Sequence, residues 1–149
     1  MVDLTIAIGS DHAGFELKEA IRNYLEFLEV TVKDFGTFST DSVDYPDYAF
    51  AVASAVAKGE FDRGILICGT GLGMSIVANK VKGIRAAECT TPDLAEMSRR
   101  HNNANVLTMG GRVLSAEEAK NIVRVWLETG FEGGRHQRRV DKIHQLTGM

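Results

Sequence analysis

The stretch Arg63-Gly64-Ile65-Leu66-Ile67-Cys68-Gly69-Thr70-Gly71-Leu72-Gly73-Met74-Ser75-Ile76 decides the fold. Ile65 to Ile67 is a short apolar run of the kind that forms a fully buried strand, and Cys68 closes it. Glycines at 69, 71 and 73 then let the backbone turn sharply and leave its N–H groups uncovered. From Gly73 to Val81 the apolar spacing turns helical, with Ile76, Val77 and Val81 near one face. Strand, thiol, open amide loop and helix N-terminus therefore follow one another. A thiol in that setting is favoured as the thiolate, and the loop amides suit an anion.

Working outward, strands and helices alternate on both sides. Leu4 to Ile8 runs as a strand into Gly9, and Ser10-Asp11-His12-Ala13-Gly14 leads to a helix reaching about Glu29. Phe15, Leu17, Ala20, Ile21, Tyr24, Leu25 and Leu28 give that helix its spacing. Val30 to Val32 predicts a second strand. Thr37 to Asp47, with Tyr45 inside it, reads as a polar loop before an Ala-rich helix over Tyr48–Lys58, which Pro46 helps to open. Downstream, Ile84–Cys89 predicts a strand. Thr91 caps a helix with Pro92 at its first position, running to about Arg100. Asn105–Met109 is the last strand. Ser115-Ala116-Glu117-Glu118 is a capping box opening a helix that ends near Gly130. Gly133-Gly134 sets off a final polar helix from about Arg135 to Leu146.

This alternation predicts an α/β fold with a five-stranded parallel sheet covered on both faces. In such sheets ligands bind beyond the C-terminal strand ends. Asp11-His12, Cys68 to Gly71 and Gly110-Gly111-Arg112 all fall there. His101-Asn102 does not: it follows a helix and precedes a strand, so it belongs to the opposite edge.

With 149 residues, 44% of them hydrophobic, the chain suits one core and so a single domain over 1–149. A net charge of −3 argues against generic nucleic-acid binding. No apolar run approaches a membrane span, and Met1-Val2-Asp3-Leu4 lacks the basic start of a signal peptide. Both cysteines, Cys68 and Cys89, end apparent strands, which suits a reducing compartment rather than a disulfide framework. A cytoplasmic protein without nucleic-acid or membrane partners is expected.

Each candidate group has a bland reading beside the chemical one. Strand-end cysteines are commonly inert. The glycine loop tilts Cys68 towards reactivity, while Cys89 lacks such a setting and reads as structural. A dinucleotide fingerprint would need glycine at 74, where the chain has Met74, although Glu88 stands near the position of a ribose-binding acid. Asp11-His12 also reads as a polar turn, and His101 as an ordinary helix-end residue. No H-x-x-x-H, HExxH or C-x-x-C arrangement points to a metal. Arg135 and Arg139, four apart, share a helix face and suit a phosphate clamp, or else a solvated basic face.

Taken in order, Gly9-Ser10-Asp11-His12-Ala13-Gly14-Phe15, Asp44-Tyr45-Pro46, Gly64 to Gly73, Asn79-Lys80, Arg99-Arg100-His101-Asn102 and Gly133-Gly134-Arg135-His136 resemble the type B ribose-5-phosphate isomerases, the group that includes the galactose-6-phosphate isomerase subunits. The resemblance spans essentially the whole chain. It implies a Rossmann-like three-layer α/β/α sandwich and a homodimer, sometimes paired into a tetramer. The implied activity is cofactor-free, metal-free interconversion of ribose 5-phosphate and ribulose 5-phosphate through a cis-enediolate. By the same resemblance Cys68 matches the catalytic base, and Thr70 assists. The loop Gly69, Gly71, Leu72, Gly73 holds the enediolate. His101 opens the furanose ring with Asn102 beside it, while Asp11, His12 and Tyr45 contact substrate. Arg112, Arg135 and Arg139 are basic positions, the last two best suited to the phosphate; Arg138 receives no role. A site shared between subunits would bring His101 of one chain to Cys68 of the other. Two alternatives remain at this point: a six-carbon sugar phosphate (galactose or allose 6-phosphate), or a non-catalytic nucleotide-binding module.

Overall fold

The computed structural model describes residues 3–149. Met1 and Val2, which the expected domain range and the reading of the N-terminus include, lie outside the described residues. The elements are β1 (Thr5–Ser10), α1 (Phe15–Phe27), β2 (Thr31–Asp34), α2 (Tyr45–Ala57), β3 (Arg63–Cys68), α3 (Leu72–Ala78), β4 (Ala86–Glu88), α4 (Pro92–Arg100), β5 (Val106–Gly110), α5 (Ala116–Glu128) and α6 (Arg135–Thr147). All strand pairs are parallel, in the order β2-β1-β3-β5-β4.

Strand side chains alternate between faces, and each face builds its own core. Ile6, Ile8, Ile65, Ile67, Leu107 and Met109 pack with Ile21 and Leu25 of α1 and with Ile122, Val123 and Trp126 of α5. Ala7, Leu66, Cys68 and Val106, the residues of opposite parity, pack with Val52 and Ala53 of α2 and Met74 and Ala78 of α3. The result is the expected three-layer sandwich. It also fixes the side on which Cys68 lies: the α2/α3 side. The capping box of α5 forms as read, with Ser115 Oγ accepting from Glu118 N–H and the Glu118 carboxylate accepting from Ser115 N–H.

Most bounds shift from the sequence reading by a residue or two, and three of the differences bear on the site or its neighbours. Helix α2 starts at Tyr45 rather than Tyr48: Asp44 is the extended N-cap, Pro46 fits the first turn, and Asp47 adds an acid there. Tyr45 is thereby moved from the loop onto a helix. Helix α3 stops at Ala78, short of Val81. Asn79 leaves the helix and uses both ends of its carboxamide on Ala86, accepting from the N–H (2.8 Å) and donating to the carbonyl (3.0 Å). The buried face of α3 is Met74 and Ala78, one turn apart, and Ile76 is 61% exposed. Strand β4 is confined to Ala86–Glu88, within the longer run read as a strand.

Two glycines bring the site together. Gly71 caps α3 at φ +87°, a conformation that suits glycine, and a side chain there would meet the Met109 backbone. Gly14 lies so near β3 that a Cβ would sit 2.3 Å from the Ile67 carbonyl oxygen. That approach sets the start of α1 beside the end of β3.

Candidate active site

Three loops converge at the C-terminal edge of the sheet. The first follows β3. Cys68 is 5% exposed, and its Sγ accepts the Gly71 N–H at 3.1 Å. The Leu72 N–H goes to Thr70 Oγ1 at 3.2 Å. Gly73 and Met74 occupy the first turn of α3, where N–H groups have no acceptor within the helix. The Tyr45 ring lies over Gly73 so closely that a Cβ would come within 2.5 Å of it, and Arg112 lies over Gly69 with NH1 3.4 Å from the corresponding point. The first and third glycines of the loop are thus covered by a guanidinium and an aromatic ring respectively.

The second loop follows β1. Asp11 donates its N–H to the Ile67 carbonyl (3.2 Å) and accepts the Gly14 N–H on Oδ1 (3.0 Å), which closes the turn into α1. His12 Nδ1 accepts the Val43 N–H at 3.1 Å. In the neutral ring this contact leaves the proton on Nε2, so His12 offers a donor there. The third loop follows β5: Gly111 N–H donates to Cys68 O (2.7 Å) and Arg112 N–H to Gly69 O (3.0 Å), tying the two loops together. Asp11, His12, Tyr45, Cys68, Thr70 and Arg112 line one open cleft of about 430 Å³. Gly69 and Gly73 line it too, and so does the exposed Ile76, which the sequence reading placed on one helix face with Val77 and Val81.

His101, Asn102, Arg135 and Arg139 do not reach this cleft within one chain. His101 is the C-cap of α4 and leads into β5 at its N-terminal end. Gly64 pairs with Val106 and Cys68 with Gly110, so the thiol stands four residues up the sheet, roughly 13 Å by strand rise. Asn102 lines a separate cleft with Arg85, Ala104 and His144. Arg135 and Arg139 are exposed on the first turns of α6. The candidate groups of one chain therefore fall into two sets on opposite edges of the sheet.

The second set has neighbours that sequence reasoning missed. Arg99 is buried and clamps the turn after α4: NH1 donates to Ala104 O (2.7 Å) and Asn103 Oδ1 (2.9 Å), and Nε to Thr129 O (3.2 Å). Glu132 N–H donates to Arg100 O at 3.1 Å, and its carboxylate lies 3.4 Å from Arg100 NH1. The His101 and His136 rings stack, with centroids 4.2 Å apart and planes 11° from parallel. Ligand atoms of His101, Glu132 and His136 lie within 4.8 Å of one another. Rings stacked in parallel planes cannot both aim in-plane lone pairs at one ion, so this trio is a stack in its present geometry. Cys89, read as structural, is buried, and burial pushes its thiol up to about 11.

A parallel α/β/α sandwich with a thiol, an imidazole and a guanidinium around an amide loop defines a Rossmann-like small-molecule enzyme. The model of a family described as Ribose/Galactose Isomerase matches residues 6–143, and the chain belongs to that family. It is 56% identical over 138 residues to ribose-5-phosphate isomerase B of Escherichia coli (strain K12), covering 93% of each chain. Among solved structures, it is similar to ribose-5-phosphate isomerase B of Clostridium thermocellum, with a TM-score of 0.96, 54% identity, and 97% and 98% of the two chains covered. It is also similar to ribose-5-phosphate isomerase B of Mycoplasma genitalium with bound ribulose-5-phosphate: TM-score 0.94, 44% identity, 99% of both chains.

Proposed function

We propose that this chain is a ribose-5-phosphate isomerase acting through Cys68. The observation that carries the reading is the junction of β3 and α3, where Sγ is already a hydrogen-bond acceptor beside first-turn amides of α3. In the open-chain aldose, the Cys68 thiolate takes the C2 proton as the C2–H electrons shift into a C1–C2 double bond and the carbonyl pair moves to O1. The enediolate oxygens face the Gly69 to Met74 amides, with the Thr70 hydroxyl in support. Return of the proton to C1 and transfer of the O2 proton give the ketose. Asp11, His12 and Tyr45 orient the sugar, His12 through its Nε2–H. Arg112 adds positive charge at the rim.

The acid–base group for opening the furanose ring is His101 of the partner subunit, with Asn102 beside it and Arg135 and Arg139 on the phosphate. The two half-sites of one chain support this, because each holds what the other lacks. The protein then works as a homodimer of one-domain chains, residues 1–149, in the cytoplasm. Among the described residues no helix is long and apolar enough to cross a membrane. Six-carbon sugar phosphates are the second substrate class. One chain bearing Cys68, His101 and the arginine pair together favours the pentose.

The test is formation of ribulose 5-phosphate from ribose 5-phosphate by the purified protein with chelator present. Turnover supports the reading; turnover only on galactose or allose 6-phosphate changes the sugar; no turnover on any of them overturns it. The shared site has its own test. Cys68→Ala and His101→Ala proteins, each inactive alone, are expected to regain up to about a quarter of wild-type activity when dissociated and reassociated together, since half the dimers then hold one intact site. Failure to regain activity despite mixed dimers would put both groups in one chain's site. Arg139→Ala is expected to raise KM for ribose 5-phosphate roughly tenfold to a hundredfold, the worth of a charge-assisted contact to phosphate, with a smaller effect on kcat. Initial-rate kinetics check it.

A further inference from the structure

His136 follows Gly133-Gly134-Arg135 and is the second residue of α6. Its neighbours on the helix, Arg135 and Gln137, are exposed, yet the His136 side chain is 7% exposed and Nε2 makes no hydrogen bond. A buried imidazole with an unmet nitrogen costs stability. What it gains is contact with one partner, the half-buried ring of His101, against which it lies flat. The backbone holds this platform firmly. His136 N–H donates to Gly133 O (3.0 Å), Glu132 N–H ties the same segment to Arg100 O, and Glu132 Oε1 stands 3.5 Å from His136 Nε2. Burial, with the adjacent His101 ring and the Arg135 and Arg139 charges, pushes the His136 imidazole towards its neutral form.

We infer that His136 is a positioning residue for the reaction: its flat, buried ring stacks on His101 and holds that imidazole in the orientation that serves ring opening and closure. The inference rests on the ring-opening role of His101. It requires the flat ring of His136 and no proton from it.

The test uses the whole dimer and two variants that fill the space. His136→Leu keeps the burial and removes the planar ring; His136→Phe keeps the ring and removes both nitrogens. Two rates are measured. One is conversion of ribose 5-phosphate, which arrives as a furanose. The other is exchange of the C1 hydrogen of ribulose 5-phosphate with D2O, which needs the base alone, because a phosphate on O5 leaves this ketose no furanose to open. His136→Leu is expected to lower kcat for conversion about tenfold, the order of loss for a misplaced catalytic group, with exchange held within about twofold. His136→Phe is expected to recover most of the conversion rate. If exchange falls together with conversion, or KM rises in place of a lower kcat, His136 merely supports α6 and the inference is overturned. Equal loss in the Phe and Leu variants overturns it as well. His101→Ala, run alongside, separates the two levels. Conversion unharmed in His101→Ala removes the ring-opening role itself. Conversion lost there but intact in His136→Leu removes only the positioning role.

Discussion

Cys68→Ala is expected to lower kcat for ribose 5-phosphate by two to four orders of magnitude, the usual contribution of a placed general base, while KM changes little. The small change in KM follows from the surroundings. The residues proposed to hold the sugar, Asp11, His12 and Tyr45, stand on β1–α1 and α2, and none of them hydrogen-bonds Sγ, which takes the Gly71 N–H. Cys68→Ser is the sharper variant. It keeps an atom in the place of Sγ but gives a hydroxyl that does not ionise near neutrality, so it is expected to behave like the alanine protein. Loss in both variants, read by a coupled ribulose 5-phosphate assay, assigns the base. Turnover that survives in both would move the base elsewhere. Asp11 would be the next residue to change, although its Oδ1 already serves the Gly14 N–H.

The largest effect on stability is expected from Gly14→Ala, a loss of about 3 kcal/mol, the upper part of the overpacking range. The added Cβ would stand 2.3 Å from Ile67 O and 2.6 Å from Ile67 C. Ile67 is backbone in β3, which is paired with β1 on one side and β5 on the other, so it cannot retreat without breaking a ladder. The helix start would have to move instead. That would open the turn made by Asp11 and draw His12 away from the Val43 N–H. Gly130→Ala is the control: no atom lies within 4 Å of its added Cβ, and its change is expected to stay within about 0.5 kcal/mol. Urea midpoints of the two variants at equal protein concentration make the comparison. Equal midpoints would mean that α1 and β3 adjust far more freely than their packing suggests.

The strand order of chemistry along the chain was legible because local signals agree. Ile65 to Cys68 is apolar and bounded by glycine, Ser115 and Glu118 form a capping box, and Thr91 with Pro92 opens a helix, so each element was readable within a few residues of its bounds. The cleft followed from topology alone, since Asp11, Cys68 and Arg112 each end or follow a strand. What escaped depends on contacts distant in sequence. Asn79 ends α3 because Ala86 lies within its reach, and Tyr45 joins α2 because Asp44 is extended. Lys18 is completely buried, its ammonium paired with Asp34 and Glu19 and facing the Phe15 and Phe38 rings; no periodicity singles it out. Arg99 and His136 look like ordinary helix residues until the turn between α4 and β5 is set against the segment before α6. The tautomer of His12 depends on an amide 31 residues away.

The distance along the sheet between Cys68 and His101 bears on how the enzyme's output follows its abundance. On the proposed pairing, a freshly synthesised chain is inert, since its base and its ring-opening acid sit on opposite edges and each waits for another copy. Below the dissociation constant of the pair, the number of working sites grows with the square of chain concentration, so doubling expression yields roughly fourfold flux, and dilution extinguishes activity just as steeply. Above it, flux becomes proportional to the amount of chain. Synthesis level thus acts as a threshold as well as a supply.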